Sequence, residues 1–472
     1  MKKTKMIFTI GPASSTREVI KEFIINGMNV ARLNFSHGTH ESHDELINRI
    51  ISVRNELNES TAILADVKGP KIRTDNFKND LAKLIKGNQF SFLCNGEILG
   101  DSSKCSISYR GLYKEVKSGD RILVDDGLLE FKVNEVNNKE IICTILTSGE
   151  ISNHKGVNVP NVKIGLPAIT KKDKEDLKFI CEKDIDFIAA SFIRKASDVK
   201  EYKEFLRING REDIKIISKI ESSEAIENIE SIIEESDGIM IARGDLGVEI
   251  PAEKVPLIQK DIIKRCNMAN KIVITATQLL DSMIRNPRPT RAEATDVANA
   301  ILDGSDAIML SGESASGMYP VEAVKIMYKI AKSTEEHIDY EKIIEQFKDK
   351  KLTEYKELIS YSAVESANKS PIKAIIVEMF DNDDKVKTIS KYRPRVPIIA
   401  ITNNRKIARS VALEFGVVPI ICSETYNDEE FYLECRNIIL ENNIANRNES
   451  IIAVIEEKDQ FGKTYSFKVE MV

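Results

Sequence analysis

The chain has 472 residues, of which 42% are hydrophobic and 30% are charged, and it contains no tryptophan. Its 68 basic and 74 acidic side chains give a formal net charge of −6, which argues against a nucleic-acid-binding surface and against a disordered, highly charged tail. This length predicts roughly two to four domains with large buried cores.

No apolar run approaches the roughly 20 residues that a membrane-spanning helix needs. The basic start of the chain leads into a short apolar run, 6–10, that stops at Gly11 and Pro12, so we predict no secretory signal. The seven cysteines form no C-x-x-C pair, which is typical of reduced thiols. We therefore expect a cytoplasmic protein that does not bind membranes.

Short β-branched runs alternate with amphipathic helical segments along the first part of the chain. We predict eight strands, at 6–10, 30–34, 62–66, 187–191, 214–220, 238–242, 271–276 and 307–310. Eight strands that alternate with helices predict a closed parallel (β/α)8 barrel of the TIM type. The connection after the third strand is far too long for a simple crossover, and its part at 75–157 is typical of strands and turns. We predict an inserted small β-barrel domain there.

A charged helical stretch at 340–369 precedes a second alternation of strands, at 374–379, 396–402, 417–422, 450–456 and 466–472. This pattern predicts a separate C-terminal α/β domain. The predicted boundaries are 1–74 and 158–340 for the two barrel segments, 75–157 for the inserted domain and 341–472 for the C-terminal domain.

Charged residues end two of the predicted buried strands. Lys219 and Glu221 end the fifth strand, and Asp245 follows the sixth. Because the carboxyl ends of parallel barrel strands meet on one face, we expect these three groups to converge. Two carboxylates suit Mg²⁺ or Mn²⁺, and a lysine beside them suits a phosphoryl group in transfer. A structural ion pair at a strand end and a Schiff-base lysine in a barrel aldolase are the alternatives.

Other strand ends also carry polar groups. Arg32, Asn34 and Ser36 share one face by period-two alternation, and an arginine there suits a phosphate group. A Gly-Pro turn after the third strand gathers a cationic corner of Asp66, Lys68, Lys71 and Arg73. The seventh and eighth strands end in hydroxyl groups at 275–277 and 311–314, which suit the orientation of a substrate or a water molecule.

Three histidines, His37, His40 and His43, are spaced by three residues, which could indicate a zinc site on a helix. A turn followed by a helix start that is capped by Thr39 explains the segment more simply.

Taken together, these segments closely resemble the pyruvate kinase family. Two of the longest matches are Ala31-Arg-Leu-Asn-Phe-Ser-His-Gly38 and Ala242-Arg-Gly-Asp-Leu-Gly-Val-Glu249. Further matches occur in the family's order at 10–14, 68–70, 155–158, 166–167, 191–194, 217–221, 275–278, 286–293 and 309–313. The resemblance covers both barrel segments, whereas the other two domains are similar mainly in length and position.

The resemblance implies transfer of phosphate from phosphoenolpyruvate to ADP, giving ATP and an enolate that is protonated to pyruvate. It implies that Glu221 and Asp245 hold the divalent metal, and that Lys219 and Arg32 neutralise the transferring phosphoryl group. Backbone groups of Ala242, Gly244 and Asp245 would receive the substrate carboxylate. Thr277 would lie beside the enolate and act in the protonation step.

The resemblance also implies a nucleotide site at the junction of the barrel and the inserted domain. Arg73 and Lys155 would contact nucleotide phosphates, with Asn34 and His37 beside them, and a second metal ion would arrive with the nucleotide. The inserted domain would then close as a lid over two substrates. A homotetramer is a further implication.

One corner departs from the usual family pattern. Potassium-dependent members carry threonine and glutamate where this chain has Val67 and Lys71. An ammonium group at Lys71 would take the role of the monovalent cation beside Asn34, Ser36 and Asp66. We therefore expect activity without added K⁺.

In the C-terminal domain, Thr402, Asn403, Asn404 and Arg405 leave a strand and open a helix, a layout that favours an anionic ligand. Family members often bind phosphorylated effectors there, but the usual Ser-Gly is Asn403-Asn404 here, and the segment 456–462 replaces a glycine-rich stretch. An ordinary capped helix is an equal alternative. A catalytically dead regulator is disfavoured, because every charged or hydroxyl position that the chemistry needs is filled.

Overall fold

The computed structural model describes residues 1–348, 352, 354–380, 382–422, 428–459 and 462–472. The chain begins with three parallel strands and the two helices between them. These are β1 (Lys5–Thr9), α1 (Arg17–Ile25), β2 (Val30–Asn34), α2 (His40–Glu56) and β3 (Ala62–Val67). Thr16 and Thr39 cap the two helices by accepting hydrogen bonds from backbone N–H groups of their first turns. Tight caps and short loops keep each helix packed against its own strand.

The chain then leaves the barrel for a largely antiparallel unit. Its strands are β4 (Ile72–Arg73), β5 (Leu81–Leu84), β6 (Gln89–Leu93), β7 (Lys104–Ser106), β8 (Arg121–Val124), β9 (Leu129–Asn137), β10 (Glu140–Ile145), β11 (Gly149–Ser152) and β12 (Gly156–Asn158). Seven of them form one sheet in the order β4-β12-β8-β9-β10-β6-β7, and β5 pairs with β11. A bridge between Thr74 and Ile107 joins the two edges, so the sheet curls on itself. Phe90, Phe92 and Phe131 pack at its centre.

The second barrel segment adds five parallel strands. They are β13 (Phe187–Ala190), β14 (Lys215–Ile220), β15 (Gly238–Ala242), β16 (Ile272–Ala276) and β17 (Ala307–Leu310). The helices of this segment are α3 (Lys171–Cys181), α4 (Ala196–Ile208), α5 (Ser223–Glu227), α6 (Ile229–Glu235), α7 (Arg243–Glu249), α8 (Val255–Met268), α9 (Arg291–Leu302), α10 (Gly312–Ala315) and α11 (Pro320–Glu335). The barrel closes in the order β1-β17-β16-β15-β14-β13-β3-β2. Every pair in it is parallel.

The inward-facing side chains of the barrel strands are apolar in the middle of the barrel and mostly polar at its carboxyl-end face. Ile7, Val30, Leu64, Ile217 and Met240 belong to one fully buried interior cluster. Two residues further along each strand, the inward positions carry polar or small side chains, namely Thr9, Arg32, Asp66, Lys219 and Ala242. The strand period therefore delivers charged groups to the carboxyl-end face of the barrel, where a barrel has its active site.

The C-terminal unit is a five-stranded sheet with helices around it. Its elements are α12 (Tyr340–Glu345), α13 (Tyr355–Lys369), β18 (Ile372–Glu378), α14 (Asp384–Lys391), β19 (Ile398–Thr402), α15 (Arg405–Ser410), β20 (Val417–Ile421), α16 (Asp428–Glu441), β21 (Ser450–Asp459) and β22 (Gly462–Met471). The sheet order is β20-β19-β18-β21-β22, in which only β22 is antiparallel to its neighbour. Ala412 and Leu413 join the barrel's interior cluster, so this unit plugs the amino-end face of the barrel.

The predicted fold class is confirmed: a closed eight-stranded parallel barrel, a curled inserted sheet and a C-terminal α/β domain. The predicted barrel strands agree with the observed ones to within one residue at each end. Among its described residues, the helical stretch expected at 340–369 contains α12 and α13. Within the part of the chain that the structure describes, no helix is both long and apolar enough to cross a bilayer, and no disulfide forms.

Candidate active site

Lys219 lies at the centre of a buried charge cluster on the carboxyl-end face. Its Nζ is 2.9 Å from Glu221 Oε1 and 3.3 Å from Asp66 Oδ1, and it donates to Ser191 Oγ at 2.8 Å. The lysine is held by neighbouring strands β3, β13 and β14, which the barrel register places side by side. The convergence expected for Lys219 and Glu221 therefore occurs, and it includes Asp66.

Arg32 completes this cluster from strand β2. Its Nε donates to Asp66 Oδ2 at 2.8 Å, and its Nη1 donates to Thr9 Oγ1 at 2.8 Å. Asp66 is buried, and each of its two carboxylate oxygens accepts from a different cation, Oδ1 from Lys219 and Oδ2 from Arg32. This arrangement presents two cationic groups side by side at the barrel mouth, which is the electrostatic setting that a phosphoryl group needs.

Burial alone would lower the pKa of Lys219, but the attraction of Asp66 and Glu221 outweighs it and raises the pKa above the ordinary value. For Asp66, burial opposes ionisation, and the nearby Lys219 and Arg32 overcome it and lower the pKa. Lys219 is therefore a permanent ammonium. A Schiff-base lysine needs a lowered pKa, so this geometry argues against the aldolase alternative.

Glu221 and Asp245 are the candidate metal ligands. Glu221 Oε2 accepts a hydrogen bond from the Phe192 N–H at 2.6 Å. Burial raises the pKa of Glu221 against the attraction of Lys219, and the negative charge of Asp245 raises it further. Asp245 is close enough to Glu221 to affect its pKa, and two hard carboxylates fit a divalent cation, which would compensate both charges. Among the described residues no group of three or more His, Cys, Asp or Glu side chains could hold a metal.

Lys71 requires a correction to the expected monovalent-cation corner. We expected its ammonium beside Asn34, Ser36 and Asp66. The structure instead pairs Lys71 Nζ with Asp245 Oδ1 at 2.7 Å, because the side chain crosses β12 over Gly156 to reach α7. Asn34 Oδ1 accepts from the Ser36 N–H at 3.1 Å. Val67 ends β3 and is buried.

Thr277 adopts an unusual backbone conformation directly after β16. Its φ is 71°, and that of Gln278 is 55°, a region that a β-branched residue rarely occupies. The turn aims the hydroxyl at α7, where Thr277 Oγ1 accepts from the Gly244 N–H at 2.9 Å. Arg243 locks the same corner by donating to Thr277 O at 2.7 Å and pairing with Asp296 at 2.8 Å. Backbone strain of this kind is typical of functional sites.

The expected nucleotide residues lie where the inserted unit leaves and rejoins the barrel. Strands β4 and β12 pair there, with Arg73 opposite Gly156. Arg73 Nη1 donates to His154 O at 2.8 Å, and Lys155 Nζ is 2.9 Å from Asp125 Oδ1. His37 is exposed in the turn after β2. These groups line the rim of the barrel mouth, separate from the buried cluster around Lys219.

The three histidines do not converge on a common centre. His40 Nε2 lies 2.8 Å from Asp176 Oδ1, and His43 Nε2 lies 2.9 Å from His37 O. Thr39 caps α2 with a reciprocal bond to Ser42, as the simpler explanation expected.

In the C-terminal domain, the loop 402–405 forms an ordinary helix start. Asn404 Oδ1 accepts from the N–H groups of Lys406 at 2.8 Å and Ile407 at 3.3 Å, and Thr402 Oγ1 accepts from Asn404 N at 3.2 Å. Arg405 donates to Asn58 Oδ1 at 2.9 Å. The side chain of Asn403 is exposed. The segment 456–462 spans the end of β21 and the start of β22, and its residues 460 and 461 lie outside the described residues.

A cleft of about 550 Å³ opens between α7 and the inserted unit, and its lining includes Lys71, Asp126, Gly244, Asp245 and Gln278.

Comparisons with known proteins agree with this geometry. The model of the pyruvate kinase barrel domain matches residues 1–324, and that of the pyruvate kinase alpha/beta domain matches 357–469. The chain belongs to the pyruvate kinase family. It is therefore an enzyme, a phosphotransferase of that family.

Individual relatives support the same membership. A pyruvate kinase of Clostridium perfringens is 55% identical and one of Clostridium acetobutylicum is 49% identical, each over the whole of both chains. A crystal structure of a pyruvate kinase from Cryptosporidium parvum superposes with a TM-score of 0.95 at 38% identity, and covers 100% of this chain and 96% of that one.

Sequence reasoning missed several supporting residues of the pyruvate kinase site. Thr9 fixes Arg32, Ser191 fixes Lys219, and Asp296 fixes Arg243. Thr9 and Ser191 lie at or just past the carboxyl ends of barrel strands, so the strand-end rule that found Arg32 and Lys219 also applies to them. Asp296 lies on α9, and no local pattern marks it.

Proposed function

We propose that the chain transfers phosphate from phosphoenolpyruvate to ADP, forming pyruvate and ATP in the last step of glycolysis. One observation carries the proposal. Lys219 and Arg32 share a buried carboxylate beside Glu221, on the active-site face of a barrel that matches the pyruvate kinase family. Full-length identity of 55% with a curated relative supports the same reaction.

Glu221 and Asp245 would hold Mg²⁺ or Mn²⁺. When bound, the ion would polarise substrate oxygens and neutralise charge that develops on them. Glu221 and Asp245 fit such an ion, because both would supply hard carboxylate oxygens. Glu221 is already oriented by the Phe192 N–H.

Lys219 and Arg32 would stabilise the phosphoryl group in transfer. Both are held rigidly by Asp66, so little reorganisation is needed as negative charge moves. The raised pKa of Lys219 keeps it cationic throughout the neutral range. It would therefore act by charge, and a proton for the enolate would come from another donor, which Thr277 would orient.

The substrate carboxylate would bind at the start of α7, at Ala242, Gly244 and Asp245. A Cβ added at Gly244 would meet nothing closer than 3.6 Å, at Thr277 Oγ1, so internal packing does not require glycine there. Close approach of a substrate supplies a reason for it. The Gly244 N–H already points at an acceptor oxygen, that of Thr277.

Arg73 and Lys155 would contact the phosphates of the nucleotide, with Asn34 and His37 at the same rim. Their position at the two crossings between the barrel and the inserted unit would let lid closure bring them onto ADP.

The test is pyruvate formation from phosphoenolpyruvate and ADP with Mg²⁺, for the wild type and for Lys219→Met. We expect kcat of the variant to fall by at least about 10²–10³-fold, the usual effect of losing one preorganised charge donor. Lys203→Met, an exposed lysine on α4, is the matched control and should keep wild-type turnover. Wild-type protein without activity in this assay would refute the proposed reaction.

We further propose that turnover does not need K⁺. Lys71 stands where potassium-dependent members carry a glutamate, so the carboxylate that would attract a monovalent cation is absent, and the ammonium in its place pairs with Asp245. Rates in tetramethylammonium buffer with and without added K⁺ should be equal for the wild type. Lys71→Glu should become K⁺-dependent. A wild-type rate that collapses without K⁺ would contradict the idea.

Homotetramer formation, a cytoplasmic location and a phosphorylated effector at 402–405 are family-based proposals. The last competes with the plain helix cap that Asn404 forms. Titrating sugar phosphates and AMP at subsaturating phosphoenolpyruvate would decide between them, since only an effector site produces activation. Sedimentation velocity would test the tetramer.

A further inference from the structure

Two short segments, 71–73 and 156–158, connect the barrel with the inserted unit, and we name them the hinge. They pair as antiparallel strands, with Ile72 opposite Val157. Any movement of the inserted unit relative to the barrel must pass through these residues, since they are the two covalent crossings.

Both hinge segments are tied to the same helix of the barrel. Lys71 Nζ is 2.7 Å from Asp245 Oδ1, and Asn158 Nδ2 donates to Glu249 Oε1 at 2.9 Å. Asp245 and Glu249 are four residues apart on α7 and therefore share one helix face. The hinge is thus attached to α7 at two points, by the Lys71–Asp245 ion pair and by the hydrogen bond from the Asn158 amide to Glu249.

The Lys71–Asp245 ion pair is packed against both the hinge and the inserted unit. The Lys71 side chain is 18% exposed and crosses Gly156, where an added Cβ would lie 2.7 Å from Lys71 Cε. Its Nζ also lies 3.9 Å from Asp126 Oδ1, in the turn between β8 and β9. One ammonium therefore joins α7, the hinge and a turn of the inserted unit.

We propose that Lys71 and a divalent metal ion compete for Asp245, so that metal binding unfastens the hinge from α7. The inference rests on the proposed role of Asp245 as a metal ligand. A carboxylate that serves a divalent cation is a poorer partner for an ammonium, and two cations on one carboxylate repel each other. Asn158 and Glu249 would then hold the hinge alone, which would free the inserted unit to admit the nucleotide.

The first experiment measures Mn²⁺ binding by electron paramagnetic resonance, with neither phosphoenolpyruvate nor nucleotide present. Lys71→Met should tighten Mn²⁺ binding by about tenfold or more, because the competitor is removed. The matched control is Lys155→Met, which removes the same charge from a lysine that pairs with Asp125 and not with Asp245. We expect less than about a twofold change in this control, since the half-buried Lys155 is paired with Asp125 and does not contact the candidate metal ligand. Equal tightening in both variants would overturn direct competition.

The second experiment follows amide hydrogen exchange in β8, β9 and β12. In the wild type, Mn²⁺ alone should speed exchange there. In Lys71→Met, exchange should be fast without Mn²⁺ and should not change when it is added. Wild-type exchange that is unaffected or slowed by Mn²⁺ would refute the coupling to the hinge.

A third variant separates this inference from the function on which it rests. If Asp245→Asn binds Mn²⁺ as tightly as the wild type, the proposed metal ligand is wrong, and the competition falls with it. If Asp245→Asn loses Mn²⁺ but Lys71→Met does not gain affinity, only the competition is wrong. Circular dichroism and the melting temperature of each variant would confirm that it folds.

Discussion

The backbone of Thr277 shows how a single residue can join function to strain. A β-branched residue at φ 71° costs free energy, and two hydrogen bonds hold it there, one from the Gly244 N–H and one to Ala276 O at 2.6 Å. The conformation turns the hydroxyl towards α7 and the barrel mouth. Strain is thus balanced against a contact that positions the hydroxyl beside the start of α7, the helix that carries the candidate metal ligand Asp245.

Replacing Thr277 with alanine or with glycine separates the cost of the backbone strain from the contribution of the hydroxyl group. Both variants lose the hydroxyl and its two hydrogen bonds, but only glycine adopts the positive φ without strain. We expect Thr277→Gly to unfold at higher urea than Thr277→Ala, with a free energy of unfolding about 1 kcal/mol larger. Both should lose most of their turnover, and Thr277→Ser should keep much of it. An alanine variant as stable as the glycine variant would show that the backbone relaxes and stores no strain.

At the scale of elements, the turn between β3 and β4 positions the site by close packing. Gly69 has a φ of +66°, and a Cβ added there would lie 2.8 Å from Ser191 O. Its N–H donates to Asp173 Oδ1 at 3.1 Å, and Asp173 also completes the capping box of α3. This turn therefore holds β3 against the end of β13, where Ser191 contacts Lys219.

Gly69→Ala should destabilise the protein by about 2–3 kcal/mol, since it combines a strained φ with a clash against backbone. Gly210 is a suitable control because its φ is also +66°, while an added Cβ meets nothing within 4 Å. Gly210→Ala should cost only about 1 kcal/mol, from the φ term alone. Urea denaturation of both variants gives the difference, and equal losses would mean that the Ser191 contact yields without cost.

Local sequence pattern predicted the barrel strands and the residues at their carboxyl ends, because both follow from the two-residue period of a strand. It could not predict the partner of Lys71, which is 174 residues away, or that of Arg409, whose partner Asp186 is 223 residues away. Such contacts depend on how whole units pack. The expectation for Lys71 failed for this reason: it assumed a partner from the neighbouring strands, whereas the side chain crosses to α7.

At the scale of the whole molecule, the C-terminal domain closes the amino-end face of the barrel through apolar contacts and through ion pairs between the two domains. Leu413 enters the interior cluster of the barrel. Around it, Arg409 Nε donates to Asp186 Oδ1 at 2.8 Å, and Arg393 Nη2 lies 2.6 Å from Asp306 Oδ1. The two domains are therefore joined by buried charges whose cost depends on their protonation, which makes the interface sensitive to pH.

Glu414 is the acid in this interface with the clearest shift. It is 7% exposed, and burial raises its pKa to about 7 against the attraction of Lys215 and Lys387. The charged groups that act on it from the surrounding elements are Lys5 on β1, Lys215 on β14, Asp306 before β17, and Asp383 and Lys387 on α14 and its cap. Despite three lysines, burial and two further acids make the neutral form of Glu414 the favoured one up to about neutral pH.

The sign of the pH effect follows from this shift. The folded protein binds the Glu414 proton more tightly than the unfolded chain, whose carboxyl has an ordinary pKa of 4.5. The free energy of unfolding that this shift contributes is fully present below pH 4.5 and is lost as the pH rises to about 7, a change of roughly 3 kcal/mol.

Glu414→Gln keeps the shape of the neutral side chain at every pH, so its melting temperature should exceed that of the wild type at pH 8 and equal it near pH 4.5. Glu322→Gln, at an exposed site on α11, should show no such divergence. A melting-temperature gain that is constant between pH 4.5 and 8 would assign the effect to packing and exclude protonation of Glu414 as its cause.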